Sequence, residues 1–353
     1  MEILNKSIIP THNTSKYTDV SVTPFPYLPE FLLVIKILSP LWPVIILFGV
    51  ISNIINIVVF LKAGAKDNVT ILLLCLAVSD LVFLILITPI VCNYGLLAMM
   101  KSNSLVFLIG FLLYWPAFTA YDLSAFISVS LGVMRCACVA MPLKFKLVFT
   151  KARTIKWVMF LVVLAVSLRI PVLTIHRISW RTDPGTNLSS PQIKAVNNAY
   201  MSRINDILNR GIIIYVLYIT MVTCVGILTF KLYQASKIRR SYTAEQPRAS
   251  DQASGKLVNQ GLNSKDVQVV KSVVLVCIIF ILSQLSFLLT STTRLIRPDF
   301  DNGQQFVYIF GMLGQINLSC SYLNASLNIF VYYNYNSKYR SVLHSLLSVK
   351  GKK

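Results

Sequence analysis

The stretch LLLCLAVSDLVFLI, residues 72–85, decides the fold. Its apolar residues leave no polar helix face for water, and Asp80 is its single charge. Apolar sequence extends outward over 69–94. A bilayer core about 30 Å thick takes roughly 20 such residues in a helix. A carboxyl group in that setting costs about 2.5–3.5 kcal/mol on insertion scales, so Asp80 needs polar partners that only neighbouring helices can supply. This segment predicts one membrane helix of a bundle.

The same reading finds apolar runs at 41–61, 105–133, 155–175, 211–232, 267–290 and 306–333, separated by short, polar or Pro-bearing segments. Composition agrees. The 353 residues are 55% hydrophobic and 13% charged, with mean hydropathy +0.67, against roughly 45–50% apolar and about 25% charged in a soluble domain. No repeat of about 20–50 residues is visible, which argues against a solenoid and gives no support to a repeat-built transporter. The expected fold is an all-α membrane protein, a seven-transmembrane helix bundle with a short amphipathic eighth helix. Its expected parts are an extracellular amino-terminal segment (1–40), the seven-helix domain (41–333, third inner loop at about 237–265) and an amphipathic helix with cytoplasmic tail (334–353).

Charge sets the orientation. Most of the 33 Lys and Arg residues fall in loops that an outside amino terminus would place in the cytoplasm, as Lys and Arg are retained on that side. The first 30 residues hold no basic start followed by a short apolar core, so the first helix is expected to direct insertion itself. Acceptor sequons at Asn5, Asn13 and Asn187 then lie outside. The net charge of +20 is scattered over several inner loops without an aromatic-interleaved basic stripe. That pattern points to anionic inner-leaflet lipids and an acidic cytoplasmic partner, and away from nucleic acid.

Asp80 has company in order along the chain: Asn53 in GVISNIINIVVF, Arg135 in LGVMRCACVAMPL and Asn328 in NIFVY. Together these resemble the rhodopsin-like, class A G-protein-coupled receptors over nearly the whole membrane part. The family's Leu-Ala-x-x-Asp is Leu76, Ala77 and Asp80. Its acid-Arg-aromatic triplet with Val-x-x-Pro-Leu is met by Met134, Arg135, Cys136, Val139, Pro142 and Leu143, and its Asn-Pro-x-x-Tyr by Asn328, Ile329 and Tyr332. The phrases SLNIFVYYNYNSKYR and DVQVVKSVVLVCIIFILSQ are similar to invertebrate, molluscan-type neuropeptide or chemosensory receptors.

The resemblance implies a plasma-membrane, multi-pass receptor that binds an extracellular peptide or small molecule and activates a heterotrimeric G protein. It implies a polar cluster of Asp80, Ser124, Asn324, Asn328 and Asn53, of which Asp80, Ser124, Asn324 and Asn328 supply hard oxygens suited to a sodium ion. A hydrogen-bonded water network is the alternative there. Arg135, Tyr332, Asp266 and Pro142 are the implied coupling residues. No cofactor is expected beyond that allosteric sodium ion.

Several positions depart from the family. Met134 replaces the acid that restrains the helix-three Arg, so a weakened inactive state is expected, with Asp266 a substitute restraint or merely a favourable charge at a helix start. Gln284 and Ser286 replace the helix-six Trp and Pro, and Ile329 the helix-seven Pro. Gly110 stands where most relatives carry a Cys bonded to the second outer loop, and that loop has no Cys.

Ala117 stands where amine receptors carry an Asp and Tyr322 where opsins carry a Lys, so neither chemistry is available. The expected outer pocket is lined by Tyr94, Tyr114, Phe118, Tyr121, Gln284, Phe287 and Tyr322, with Arg294 at its rim. Asp122 is the remaining charge without an evident partner, a candidate ligand contact or else a hydrogen-bonding group to a neighbouring helix. A transporter or channel is the competing class, but no paired broken helices, pore ring or filter is evident. Catalysis is not expected, because His12, His176 and His344 are scattered and no nucleotide loop or metal-ligand spacing occurs.

Overall fold

A computed structural model of the chain describes residues 27–64, 67–97, 104–141, 148–182, 189–196, 199–244, 264–297, 299–301 and 304–348. The chain folds as a seven-helix membrane bundle. Its crossings are α2 (Leu41–Ala63), α3 (Asn68–Leu97), α4 (Ser104–Ala140) and α5 (Lys151–Ser167) with the short α6 (Ile170–Thr174). Then come α7 (Ala199–Asn205) with α8 (Ile213–Ala244), α9 (Ser264–Ile296), and α10 (Val307–Ser326) with α11 (Asn328–Tyr335). A backbone in hydrocarbon must satisfy its N–H and C=O groups internally, and a helix does so. Six helices among the described residues are long and apolar enough to cross a membrane. The seventh crossing is diluted by Gln315, Asn317, Ser319, Ser321, Asn324 and Ser326, of which Asn317, Ser319 and Ser326 bond Thr290, Trp42 and the Ile45 carbonyl on neighbouring helices.

Helix ends follow local chemistry. Asp67 accepts from the Thr70 amide at 3.0 Å and from its hydroxyl, which satisfies donors at the start of α3. Thr150 caps α5 by accepting from the Arg153 amide. Gly64 ends α2 at φ 75°, where a side chain would be strained. Ordinary interruptions replace the missing prolines. The backbone widens over Asp206–Ile212, where the Ile213 amide reaches back five residues to the Leu208 carbonyl. The last crossing breaks at Leu327, between α10 and α11.

The helical bundle carries further elements that the apolar runs do not announce. β1 (His176–Thr182) and β2 (Ser189–Ala195) pair antiparallel in the second outer loop, with Arg177 opposite Lys194 and Trp180 opposite Pro191. The amino-terminal segment is helical over α1 (Leu28–Leu38), whose Phe31 ring meets Tyr308 at 5.7 Å. α8 continues to Ala244, into the segment expected as the third inner loop. Lys237, Arg239, Arg240 and Ala244 there are good helix formers. α12 (Ser337–Ser348) is the amphipathic eighth helix.

Two apolar clusters fill the bundle. An inner one centres on Leu72, Leu76, Ile127, Leu131, Phe280 and Tyr332. An outer one centres on Trp42, Phe83, Leu84, Ile87, Tyr121 and Tyr322. Lipid already solvates apolar side chains, so helices adhere through close contact and hydrogen bonds. Gly49 shows this: a Cβ there would overlap the Ser326 hydroxyl and the Leu84 side chain. Val44, Leu47 and Leu282 point outward, 67%, 62% and 64% exposed, as lipid-facing side chains would be.

Candidate functional site

Along every helix that contributes to both clusters, the buried polar residue falls between them. Asp80 lies between Leu76 and Phe83, Ser124 between Tyr121 and Ile127, and Asn328 between Ala325 and Val331. The result is a polar layer. The Asp80 side chain is fully buried. One of its carboxylate oxygens accepts the Ser124 hydroxyl at 2.5 Å and the other accepts the Asn328 amide at 2.9 Å. Three helices thus meet at one carboxylate, and hydrogen bonds to a charged group contribute about 1.5–3 kcal/mol each.

Asn53, also fully buried, serves a different purpose. The break at Leu327 leaves the last carbonyls of α10 without partners from their own helix. The Asn53 amide donates to the Ala325 carbonyl at 2.7 Å, and the Ser52 hydroxyl donates to the Ser326 carbonyl at 3.2 Å. Helix one therefore stabilises the helix-seven break that a proline would otherwise explain. Asn324 is buried beside this break. Asn56 donates to Asn53 at 3.4 Å and accepts the Tyr339 hydroxyl at 2.7 Å, so the chain of bonds continues to α12. Burial pushes the Tyr339 hydroxyl well above its ordinary pKa and keeps it a donor.

At the inner end, Tyr332 is fully buried against Phe60 at 5.2 Å and Tyr339 at 5.8 Å. Its hydroxyl has no hydrogen-bond partner among the described residues. Arg135 is half-buried near the end of α4, and Met134 faces the inner apolar cluster. The adjacent Cys136 thiol donates to the Cys224 carbonyl at 3.3 Å, which ties α4 to α8. Asp266 stands in the first turn of α9, but its side chain lies outside the described residues. Pro142, Asn5, Asn13 and Asn187 lie outside them altogether.

At the outer end, four expected pocket residues come together around Phe83. The Phe83 ring meets Phe118 at 5.9 Å, Tyr121 at 5.0 Å and Tyr322 at 6.0 Å, and Tyr114 joins through Phe118 at 4.6 Å. Gln284 donates to the Tyr121 hydroxyl at 2.9 Å across α4 and α9. Phe287 is 37% exposed and outside this cluster. The Tyr94 side chain is outside the described residues. Arg294 does stand at the rim, held by Asp301, with Asp206 at 3.7 Å and the Phe310 ring at 6.0 Å. Just beyond, the Arg297 hydrogen bond holds the exposed Asp299 carboxyl below the usual range.

Asp122 has a partner at the end of the neighbouring helix. It is ion-paired with Arg169, whose guanidinium also donates to the Phe118 carbonyl at 3.2 Å. A second charge inside an apolar run was the available signal, because intramembrane charges are found paired. Phe83, Ser52, Asn56 and Tyr339 were also missed. Phe83 sits one turn after Asp80 and was legible, whereas a Tyr in an amphipathic tail gave no sign of reaching helix one.

All seven cysteines are free. The outer loop is held instead by aromatic contact: the His176 ring lies 5.1 Å from Phe111 and 6.1 Å from Trp115.

The family model described as "Serpentine type 7TM GPCR chemoreceptor Srsx" matches residues 46–347. No curated protein matches the chain.

Proposed function

The chain belongs to the serpentine seven-transmembrane G-protein-coupled chemoreceptors of the Srsx family, and from that premise we propose that it senses an external small molecule by a rhodopsin-like mechanism. It is a multi-pass membrane receptor for external ligands that couples to G proteins; the family is one of receptors and not of enzymes or transporters. The observation that carries the finer reading is the buried Asp80 carboxylate, bonded at once to Ser124 and Asn328 beside the break in helix seven.

In this reading the amino terminus is extracellular and the plasma membrane is the site of action, as the inner-loop Lys and Arg bias supports. Ligand settles among Tyr114, Phe118, Tyr121 and Tyr322, where Gln284 links helix three to helix six. It favours a population in which α9 moves outward, Tyr332 leaves its ring contacts and Arg135 meets a G protein. Small chemosensory ligands suit an aromatic cluster of this size better than a neuropeptide does. α12 lies along anionic lipid, with Lys338 and Arg340 flanking its buried Tyr339.

The donor set also fits a sodium ion. Asp80, Ser124 and Asn324 offer hard oxygens within one buried layer, and Asn328 completes it. Bound there, sodium would supply a positive charge that neutralises the carboxylate. Asp80 itself holds helices two, three and seven in register.

The test is G-protein activation in cells exposed to a panel of small odorous and metabolic compounds, with ion flux measured alongside. A compound that activates G protein through the native chain, and not through Arg135→Ala at matched surface expression, is expected. Activation undiminished by Arg135→Ala, or flux without activation, overturns the mechanism. Purified receptor should also unfold at a higher temperature in sodium than in choline chloride, and Asp80→Asn should remove that difference.

A further inference from the structure

Where the outer halves of helices three and four meet, two hydrogen-bond donors have no partner among the described residues. They are Trp115 Nε1 and Arg169 Nε, both buried. Buried polar groups are nearly always satisfied, so each such group calls for an explanation. The two belong to one surface. Phe111, Trp115, Phe118 and Asp122 recur at i, i+4, i+7 and i+11 and so share a stripe along α4. Arg169 reaches that stripe from the end of helix four, through Asp122 and the Phe118 carbonyl. His176 closes it from above against Phe111 and Trp115, its Nδ1 hydrogen donated to the Val172 carbonyl at 2.9 Å.

A second observation stands over the same place. In the hairpin ladder Arg177 is directly opposite Lys194, so both side chains leave the same face, the solvent side opposite to His176, and both are exposed. Like charges in that position are destabilising. Among the described residues no acid pairs with either. The only carboxylate on the α4 stripe, Asp122, is already occupied by Arg169. The solvent side of the hairpin that covers this wall is therefore cationic, and the wall beneath presents donors in excess of acceptors.

We infer that the ligand is an organic acid whose carboxylate is drawn in by Arg177 and Lys194 and seated against Trp115 Nε1 and Arg169 Nε. The inference rests on the receptor reading above and names the ligand's chemical class. A carboxylate brings the acceptor lone pairs that both buried donors lack, whereas a protonated amine brings only further donors. Exposed cations on the covering hairpin raise the local concentration of an anion and steer it inward, an effect that salt screens.

The experiment uses purified full-length receptor labelled with 5-fluorotryptophan, the Trp115 resonance being assigned by its loss in Trp115→Phe. Potassium acetate, butanoate, hexanoate and benzoate are titrated beside the matching amines and alcohols. The expected result is a saturable shift of the Trp115 signal with at least one carboxylate and with none of the matching amines or alcohols. Arg169→Lys, which keeps the charge for Asp122 but loses the planar fork, should weaken that carboxylate about tenfold. The exposed double variant Arg177→Gln, Lys194→Gln should weaken it about fivefold at low salt and little at high salt. No shift with any carboxylate, equal shifts with amines or alcohols, or wild-type affinity in Arg169→Lys overturns the inference. No G protein enters this measurement. Carboxylate binding without G-protein activation by any compound would sink the receptor mechanism alone, and activation by an amine without a carboxylate shift would sink this inference alone.

Discussion

Replacing Asn53 with leucine tests whether helix one stabilises the break in helix seven. The substitution keeps the branched outline of the side chain in a fully buried site and removes the two hydrogen bonds it donates, to Ala325 at 2.7 Å and to Gly49 at 2.9 Å, with the weaker one it accepts from Asn56 at 3.4 Å. The two donated bonds differ in kind. Gly49 lies within α2, where its carbonyl keeps its helical bond, so little is forfeited there. The Ala325 carbonyl stands in the last turn of α10 and loses the donor from outside its own helix. An interhelical bond in membranes contributes about 0.6 kcal/mol and at most about 1.7, and a buried unsatisfied carbonyl costs about 1–3 kcal/mol. The combined loss is about 2 kcal/mol, close to a thirtyfold change in an equilibrium constant. Thiol-dye unfolding reads it directly, since Cys224 and Cys277 are buried in the native bundle and free to react once it opens. Ser52→Ala should cost less, because its bond to Ser326 is longer at 3.2 Å and its hydroxyl is shared with Gly49. An unchanged unfolding midpoint for Asn53→Leu, or an equal loss for Ser52→Ala, would refute the reasoning.

Gly49→Val should abolish surface expression, read by cell-surface labelling, because even one added carbon meets Ser326 and Leu84. Tyr339→Phe removes only the hydroxyl bond to Asn56. It should lower thermal stability by about 1 kcal/mol and raise ligand-free signalling, as α12 loses its hold beside Tyr332. Gln284→Leu and Tyr121→Phe should be non-additive in unfolding free energy, with a coupling of about 0.5–1.7 kcal/mol in a double-mutant cycle. Met134→Glu should reduce ligand-free signalling when Met134→Gln does not, if lack of the acid weakens the resting state; signalling unchanged by the glutamate would end that idea.

The membrane class, the seven crossings and the importance of position 80 were legible because they depend on local quantities. Run length against bilayer thickness gives each crossing, and the cost of a charge in hydrocarbon singles out Asp80. Ser124 and Asn328 were reachable as well, by spacing within a resembling motif, and both do bond Asp80. The partnership of Asp122 with Arg169 joins residues 47 apart, and that of Tyr339 with Asn56 joins residues 283 apart. No periodicity encodes such pairs. The hairpin escaped notice because its residues sit in a loop whose polarity resembles any other outer loop.

What the sequence determined by itself was the solvent: lipid around the helices, water at the loops, and hence how many times the chain crosses. What tertiary structure alone decided was which polar groups satisfy one another once lipid has excluded water. Asn53 capping a break in helix seven, and two donors on helices three and four left waiting for an acceptor, are consequences of helix placement. Hydrogen bonds act over about 3 Å, and sequence distance carries no information at that scale.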